Sequence, residues 1–284
     1  MNKFATGNGP LVSVVVPTYN RAGTVMKAID SILHQSYSRV EVIVVDDGST
    51  DNTAQVLKRA QNKDARVFYY HNTGQKGPAG ARNTGISVAG GEYVAFLDDD
   101  DEYCPDKLRT QLAIFHGNPG VDVVVSGVPA SWCAEGNQGI GWVGLEFHPN
   151  RVFASCFIMC KRAVLENVTV RCGYMEWRDF AFQVYEKGFV VFLSSEELVR
   201  VNASAGSLSK HKGKMLSTAL RNAKSYYECS RGREGDEVFV SYLAHCYKGW
   251  GNYSLKRGVL WRAIRSYVNA FRVERKIRNL IPFL

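Results

Sequence analysis

Residues 40–53 read Val-Glu-Val-Ile-Val-Val-Asp-Asp-Gly-Ser-Thr-Asp-Asn-Thr. Val40–Val45 is the β-branched, mostly apolar run of a strand covered on both faces. Asp46-Asp47-Gly48-Ser49 turns the chain, and a helical pattern follows over about 51–62. Ser49 or Thr50 suits the cap of a helix opening at Asp51, whose carboxylate favours its positive end. That leaves Asp46 and Asp47 at the strand end without a task in the turn.

The same unit recurs on both sides. Val12–Val16, Val67–Tyr70, Tyr93–Leu97 and Val121–Ser126 continue the strands, and helix-like segments lie at about 23–35, 79–89 and 106–117. Pro105 suits the first turn of the last of these. Strand–helix alternation predicts an α/β fold with a doubly wound, mostly parallel sheet flanked by helices. Ligands of such sheets bind beyond the carboxyl ends of the strands. That rule gathers Pro17-Thr18-Tyr19-Asn20-Arg21 after the first strand, Asp46 and Asp47 after the second, and the acidic run Asp98-Asp99-Asp100-Asp101 after a later one. Four adjacent carboxylates repel and raise one another's pKa unless a cation intervenes. The cation that fits is divalent, held by one or two carboxylates, with water and substrate phosphates completing its shell. The plain alternative is a solvated acidic turn before the helix near Pro105.

The chain has 284 residues, 45% apolar and 12% aromatic, enough for one large α/β domain. No apolar stretch approaches the roughly 18 to 20 residues of a spanning helix, and the N-terminus shows no signal-peptide pattern. The expected location is therefore cytoplasmic. The seven cysteines include no C-x-x-C pair, which favours reduced thiols over a zinc site or disulfide framework. Residues 206–284 carry 16 Lys/Arg against 5 Asp/Glu, a balance of +11, while residues 1–205 carry 19 against 22. This asymmetry points to an anionic partner for the last third. Gly139–Gly144 matches G-x-G-x-x-G but does not lie between a strand and a helix, so it does not count as a dinucleotide fingerprint.

Four segments occur in order: Val14-Val-Val-Pro-Thr-Tyr-Asn-Arg21, Val44-Val-Asp-Asp-Gly-Ser-Thr-Asp-Asn-Thr53, Gly80-Ala-Arg-Asn-Thr-Gly85 and Phe96-Leu-Asp-Asp-Asp-Asp-Glu-Tyr-Cys-Pro105. Together they resemble family 2 glycosyltransferases of the GT-A fold. The resemblance covers roughly residues 11–110, is looser to about 210, and stops there. It implies a catalytic domain over 1–210, with a nucleotide-sugar-binding half at 11–110 and an acceptor half at 111–210. A basic helical C-terminal extension at 211–284 follows. It implies that uracil lies against Tyr19, that Asp47 reads the uracil edge, and that Arg82 faces the nucleotide. Pro17, Thr18, Arg21 and Asp46 belong to the same donor site. The acidic run matches the family's D-x-D element, with Asp99 toward ribose and phosphate, Asp100 as metal ligand, and Asp98 sharing metal or ribose duty. Asp101 orients the turn. Mn²⁺ or Mg²⁺ is the implied cofactor, offsetting charge on the departing diphosphate.

An acceptor hydroxyl also needs a base. Family members usually carry Glu-Asp before a helix ending in Lys-Gly. Here the segment is Met175-Glu-Trp-Arg-Asp-Phe-Ala-Phe-Gln-Val-Tyr-Glu-Lys-Gly188, with Trp177 where the usual aspartate stands. Asp179 and Glu176 are the candidates, Asp179 slightly ahead, and the N-cap of a helix at 180 is its plain alternative. Where many relatives place a histidine near the diphosphate this chain has Ser204. His211, among Lys210, Lys212 and Lys214, is a candidate substitute.

In the tail, Leu260, Trp261, Ile264, Tyr267, Val268 and Phe271 recur at helical spacing, flanked by Arg262, Arg265, Arg272 and Lys276. Such a helix either lies on an anionic membrane or packs its stripe on the catalytic domain. No nucleic-acid module accompanies the charge.

The expected activity is inverting, metal-dependent transfer of a single sugar from a UDP-sugar to a hydroxyl of a lipid-linked oligosaccharide or lipopolysaccharide-type acceptor. The processive members' Q-x-x-R-W motif is missing, which favours single addition. The expected setting is peripheral, at the inner face of the cell membrane. Two alternatives stay open: a catalytically silent assembly partner at the membrane, suggested by the altered segment at 176–179, and a nucleotidyltransferase, disfavoured because 17–21 holds no glycine.

Overall fold

A computed structural model describes residues 9–128, 138–140, 155–171, 176–202, 212–230 and 236–280. The described residues up to 202 form one unit and those from 212 onward another.

The first unit opens with β1 (Val12–Thr18), α1 (Val25–Leu33), β2 (Val40–Asp46), α2 (Thr53–Lys63), β3 (Val67–His71), α3 (Pro78–Val88) and β4 (Tyr93–Phe96). The short β5 (Glu102–Tyr103) follows, then α4 (Lys107–Gly117), β6 (Val123–Val125), β7 (Gln138–Ile140) and β8 (Ile158–Lys161). It closes with α5 (Arg162–Leu165), α6 (Glu176–Glu186), β9 (Val191–Ser194) and β10 (Val199–Arg200). Eight strands form one sheet in the order β3-β2-β1-β4-β8-β6-β9-β7. Four of its seven pairings are parallel and three antiparallel. The alternation read from the sequence thus becomes a mostly parallel sheet with β8 inserted antiparallel and β7 antiparallel at one edge. Gly139 lies in β7, antiparallel to β9, while residues 141–144 of the G-x-G-x-x-G match lie outside the described residues.

Every residue of β1 is buried, as a central strand with helices on both faces requires, and each buried valine contributes about 1.5–3 kcal/mol relative to exposure. Helix α3 lies close against this strand, because a side chain at Gly85 would run into Val15. The chain builds β2 and β3 on one side of β1 and then returns to place β4 on the other. That reversal leaves a crevice at the carboxyl ends of β1 and β4, the place where doubly wound sheets bind ligands. Thr18 and Asp46 are register partners at the ends of β1 and β2, so the motif residues start from one edge.

The α2 terminus departs from expectation. The helix begins at Thr53 with Asn52 at its N-cap, and Asp51, just outside, accepts from the Thr53 amide at 3.0 Å and the Thr53 hydroxyl at 2.5 Å. Ser49 turns the other way, toward Asp46.

The second unit comprises α7 (Lys212–Ser230), α8 (Asp236–Lys256) and α9 (Leu260–Leu280). Gly258, at φ 72°, closes the α8–α9 turn; the Val259 amide donates to the Ser254 carbonyl at 3.0 Å, completing a glycine C-cap. Among the described residues no helix is long and apolar enough to cross a membrane.

Candidate active site

At the end of β1, Asn20 has a φ of 52°, a left-handed conformation asparagine tolerates better than most residues. Its side-chain oxygen accepts from the Thr50 amide at 2.7 Å and its own amide donates to Ser49 Oγ at 2.8 Å. The ends of β1 and β2 are thereby tied together. Tyr19, beside it, is 52% exposed, an aromatic face that is not spent on the core.

The two aspartates after β2 divide their tasks. Asp46 is buried, and its Oδ1 accepts from the Ser49 amide at 2.8 Å and hydroxyl at 2.6 Å, while Oδ2 accepts from Tyr69 at 3.3 Å. It holds the turn. Asp47 accepts from Asn72 Nδ2 at 2.5 Å and from the Gly77 amide at 2.8 Å. Gly77, at φ 111°, reaches that position in a conformation glycine favours, and Pro78 follows as the first residue of α3. Asp47 therefore fixes the loop that delivers Arg82.

The acidic run is not four equivalent carboxylates. Asp99 accepts from Thr18 Oγ1 at 2.7 Å, bridging β1 and β4 across the crevice. Arg21 approaches Asp99 at 3.5 Å and Asp100 at 3.6 Å, both looser than hydrogen bonds. Burial pushes the Asp99 carboxyl up to about 6, with Thr18 and Arg21 opposing and the neighbouring carboxylates adding to the rise. Asp101 faces inward, accepting from the Asn202 amide at 2.9 Å, and burial likewise raises it to about 6. Asn202 Nδ2 donates to the Asp100 carbonyl at 2.9 Å, so the turn is held from β10 as well. Asp98 accepts from Arg82 Nη2 at 2.6 Å and Ser155 Oγ at 2.7 Å.

Arg82 is the hub. It is 4% exposed and joins Asp98 to Glu176, with which it makes a second ion pair through Nη1. Burial works against its charge, but Glu176 and Asp98 outweigh that and raise its pKa above the ordinary value. Its guanidinium lies 5.3 Å from the Trp177 ring centroid, and Trp177 in turn packs edge-on against Phe96 and Phe180. Trp177 has thus become core, clamping the arginine. Glu176 is raised by burial, against the pull of Arg82.

Helix α6 starts at Glu176, so Asp179 lies within its first turn and is not an N-cap. The Asp179 carboxylate accepts from Gln183 Nε2 at 2.8 Å and pairs with Arg171 Nη1 at 3.4 Å. Gln183 also bonds the Thr169 amide and carbonyl at 3.1 and 2.9 Å. Burial raises Asp179, and Arg171 and Gln183 oppose it. The structure therefore brings Glu176 together with Arg82 and Asp98, and joins Asp179 to the 169–171 segment instead. Ser204 and His211 lie outside the described residues.

Ser155, Asn72 and Asn202 carry contacts that the motifs did not announce. Ser155 is 57 positions from Asp98, and only the antiparallel register Ala95↔Met159 places it there. Among the described residues no group of three or more His, Cys, Asp or Glu side chains is gathered to enclose a metal ion. The donors present are carboxylate oxygens, hard ligands suited to Mg²⁺ or Mn²⁺, which need only one or two of them. Among the described side chains Asp100 meets Arg21 in a loose ion pair and is the more available, whereas Asp98 is committed to Arg82 and Ser155.

The family model "Glycosyl transferase family 2" matches residues 13–182. A Haemophilus influenzae protein named an uncharacterized glycosyltransferase is 39% identical over 132 residues, 46% of this chain and 52% of that protein. The chain thus spans about half of that relative, and a smaller share of the similar Rickettsia glycosyltransferases. The Escherichia coli UDP-Glc:alpha-D-GlcNAc-diphosphoundecaprenol beta-1,3-glucosyltransferase WfaP is 29% identical over 221 residues, 72% of this chain and 82% of its own length. Among solved structures, S. aureus TarS 1-349 in complex with UDP-GlcNAc superposes with a TM-score of 0.70 over 91% of this chain and 79% of its own, at 20% identity. That likeness shows a shared GT-A fold.

Proposed function

The chain belongs to glycosyl transferase family 2, and we propose that it transfers a single sugar, with inversion, from a UDP-sugar to a hydroxyl of a lipid-linked saccharide. The observation that carries the reading is the Arg82 hub. One buried guanidinium joins a carboxylate of the acidic run to a carboxylate of α6, so donor-side and acceptor-side groups share one centre at the crevice. The names of relatives such as WfaP, a glucosyltransferase acting on a diphosphoundecaprenol-linked sugar, support the acceptor class. An acceptor of that kind is held in a membrane, so the reading includes peripheral contact with the anionic inner face of the cell membrane.

Exposed Tyr19 stacks on the base while Asp47 accepts its imide proton. Thr18 and Arg21 position Asp99 toward ribose and the first phosphate. Asp100, with Asp98 beside it, would hold Mn²⁺ or Mg²⁺, which when bound would supply charge that offsets the departing diphosphate. Inversion requires a base on the face of the sugar opposite the leaving group. Glu176 takes that role in preference to Asp179: it shares Arg82 with Asp98, and burial raises its affinity for a proton. Asp179 then acts as a positioning residue, holding the start of α6 to the 169–171 segment.

A thermal-shift comparison of UDP-, GDP- and dTDP-sugars with Mn²⁺ tests the donor, because a ligand of the native state alone raises apparent stability. UDP-sugars are expected to give the largest shift. A preference for another nucleotide would overturn the assignment of Tyr19 and Asp47.

A further inference from the structure

Helix α9 has three faces. Ala263, Ser266 and Ala270 are buried, spaced three and four apart along one stripe, and Tyr267 bonds Asn252 of α8 at 2.5 Å. At Gly251 of α8 an added side chain would meet the Tyr267 ring at 3.2 Å. Small residues therefore let the two helices approach closely, and the large apolar residues of α9 are left out of that packing. Trp261 is 68% exposed and Phe271 66%, with Ile264 and Val268 between them also exposed. At about 100° per residue these four fall on one outward arc, and Arg262, Arg265 and Arg272 fall beside it. No carboxylate lies between 260 and 273.

We propose that this outward face of α9 seats the chain on an anionic lipid bilayer, with Trp261, Ile264, Val268 and Phe271 entering below the headgroups and the three arginines meeting lipid phosphates. An apolar arc bordered by cations is the pattern of a helix lying in the interface plane. A large exposed apolar patch on a soluble surface is otherwise a liability. A second copy of the chain is the poorer occupant: pairing α9 with itself would bring arginines together with no acidic residue in this stretch to answer them. The surface rests on and deepens the membrane contact included in the proposed function, and none of its residues is among those assigned to the catalytic centre.

The full chain is sedimented with phosphatidylcholine vesicles with and without phosphatidylglycerol. Binding is expected only to the anionic vesicles, falling with added salt. Arg262→Gln/Arg265→Gln/Arg272→Gln is expected to bind on the order of 100-fold more weakly, about fivefold per arginine. Trp261→Glu/Phe271→Glu is expected to remain in the supernatant. All five positions are exposed, and unchanged thermal melting of the variants verifies the fold. Transfer to a short-chain, water-soluble acceptor analogue is expected to be unchanged, which separates this surface from the catalytic reading. Wild-type protein that stays in the supernatant, or variants that bind as wild type does, would overturn the proposal. So would a dimer in sedimentation equilibrium that Trp261→Glu/Phe271→Glu dissolves without any vesicle binding.

Discussion

Replacing Arg82 with methionine isolates the hub. Methionine keeps apolar contact with Trp177 but removes the charge that faces Asp98 and Glu176. Removing one partner of a buried pair costs about 3–5 kcal/mol. Only Glu176 is nearly enclosed, its side chain 11% exposed against 36% for Asp98, so the low end, about 3 kcal/mol at pH 8, applies. Burial already holds the Glu176 pKa above its ordinary value, and Arg82 is the influence that lowers it. Without Arg82 it rises further. A carboxyl raised in the folded state stabilises while protonated and loses that stability as pH rises through its folded pKa. The penalty should therefore shrink as the pH is lowered from 8 to 5, falling toward about 1 kcal/mol as Glu176 takes up its proton. Urea denaturation followed by tryptophan fluorescence at both pH values measures it. Adding Glu176→Gln should recover part of the loss at pH 8 and little at pH 5. Equal penalties at the two pH values would refute the claim that Arg82 is the counter-ion of Glu176.

Glu176→Gln is expected to lower kcat by about 10²–10⁴-fold with UDP affinity nearly unchanged, whereas Asp179→Asn keeps most turnover and lowers the melting temperature; steady-state kinetics with calorimetric UDP binding distinguishes them. Tyr19→Ala is expected to weaken UDP binding by about 1–3 kcal/mol, the worth of one base on an aromatic face, with little change in melting, since the ring is already exposed. Asp101→Asn gains stability at pH 8 relative to pH 5 in chemical denaturation. Its carboxyl titrates near 6, above the unfolded value, so wild type loses that stability as pH rises through 6 and the amide does not.

The first four strands were legible because they are β-branched or aromatic-rich runs of four to seven residues and the turns between them carry their own chemistry. The edge on which Thr18, Asp46 and the acidic run gather followed from the winding alone. The pairing among those residues was not legible. Asp46 and Asp47 are adjacent and both acidic, yet one closes its own turn and the other anchors a loop 25 positions away. Arg21 and Ser155 reach the acidic run through tertiary packing, and no local pattern encodes an antiparallel strand inserted beside β4. The stripe on α9 was visible at helical spacing, but not which face would pack, because three small residues at 263, 266 and 270 carry no hydrophobic signal. Glu176 and Asp179 are two carboxylates three positions apart, and no local pattern ranks one above the other. Their distinction is the buried arginine that one of them meets.

The most direct measurement is UDP release from a UDP-sugar in the presence of a lipid-linked saccharide acceptor and Mn²⁺, with product configuration read by NMR, for wild type and Asp100→Ala. Acceptor-dependent release with an inverted linkage, lost in the variant while its melting temperature holds, is the expected result. No release from any UDP-sugar, a retained configuration, or wild-type turnover by Asp100→Ala would contradict the account.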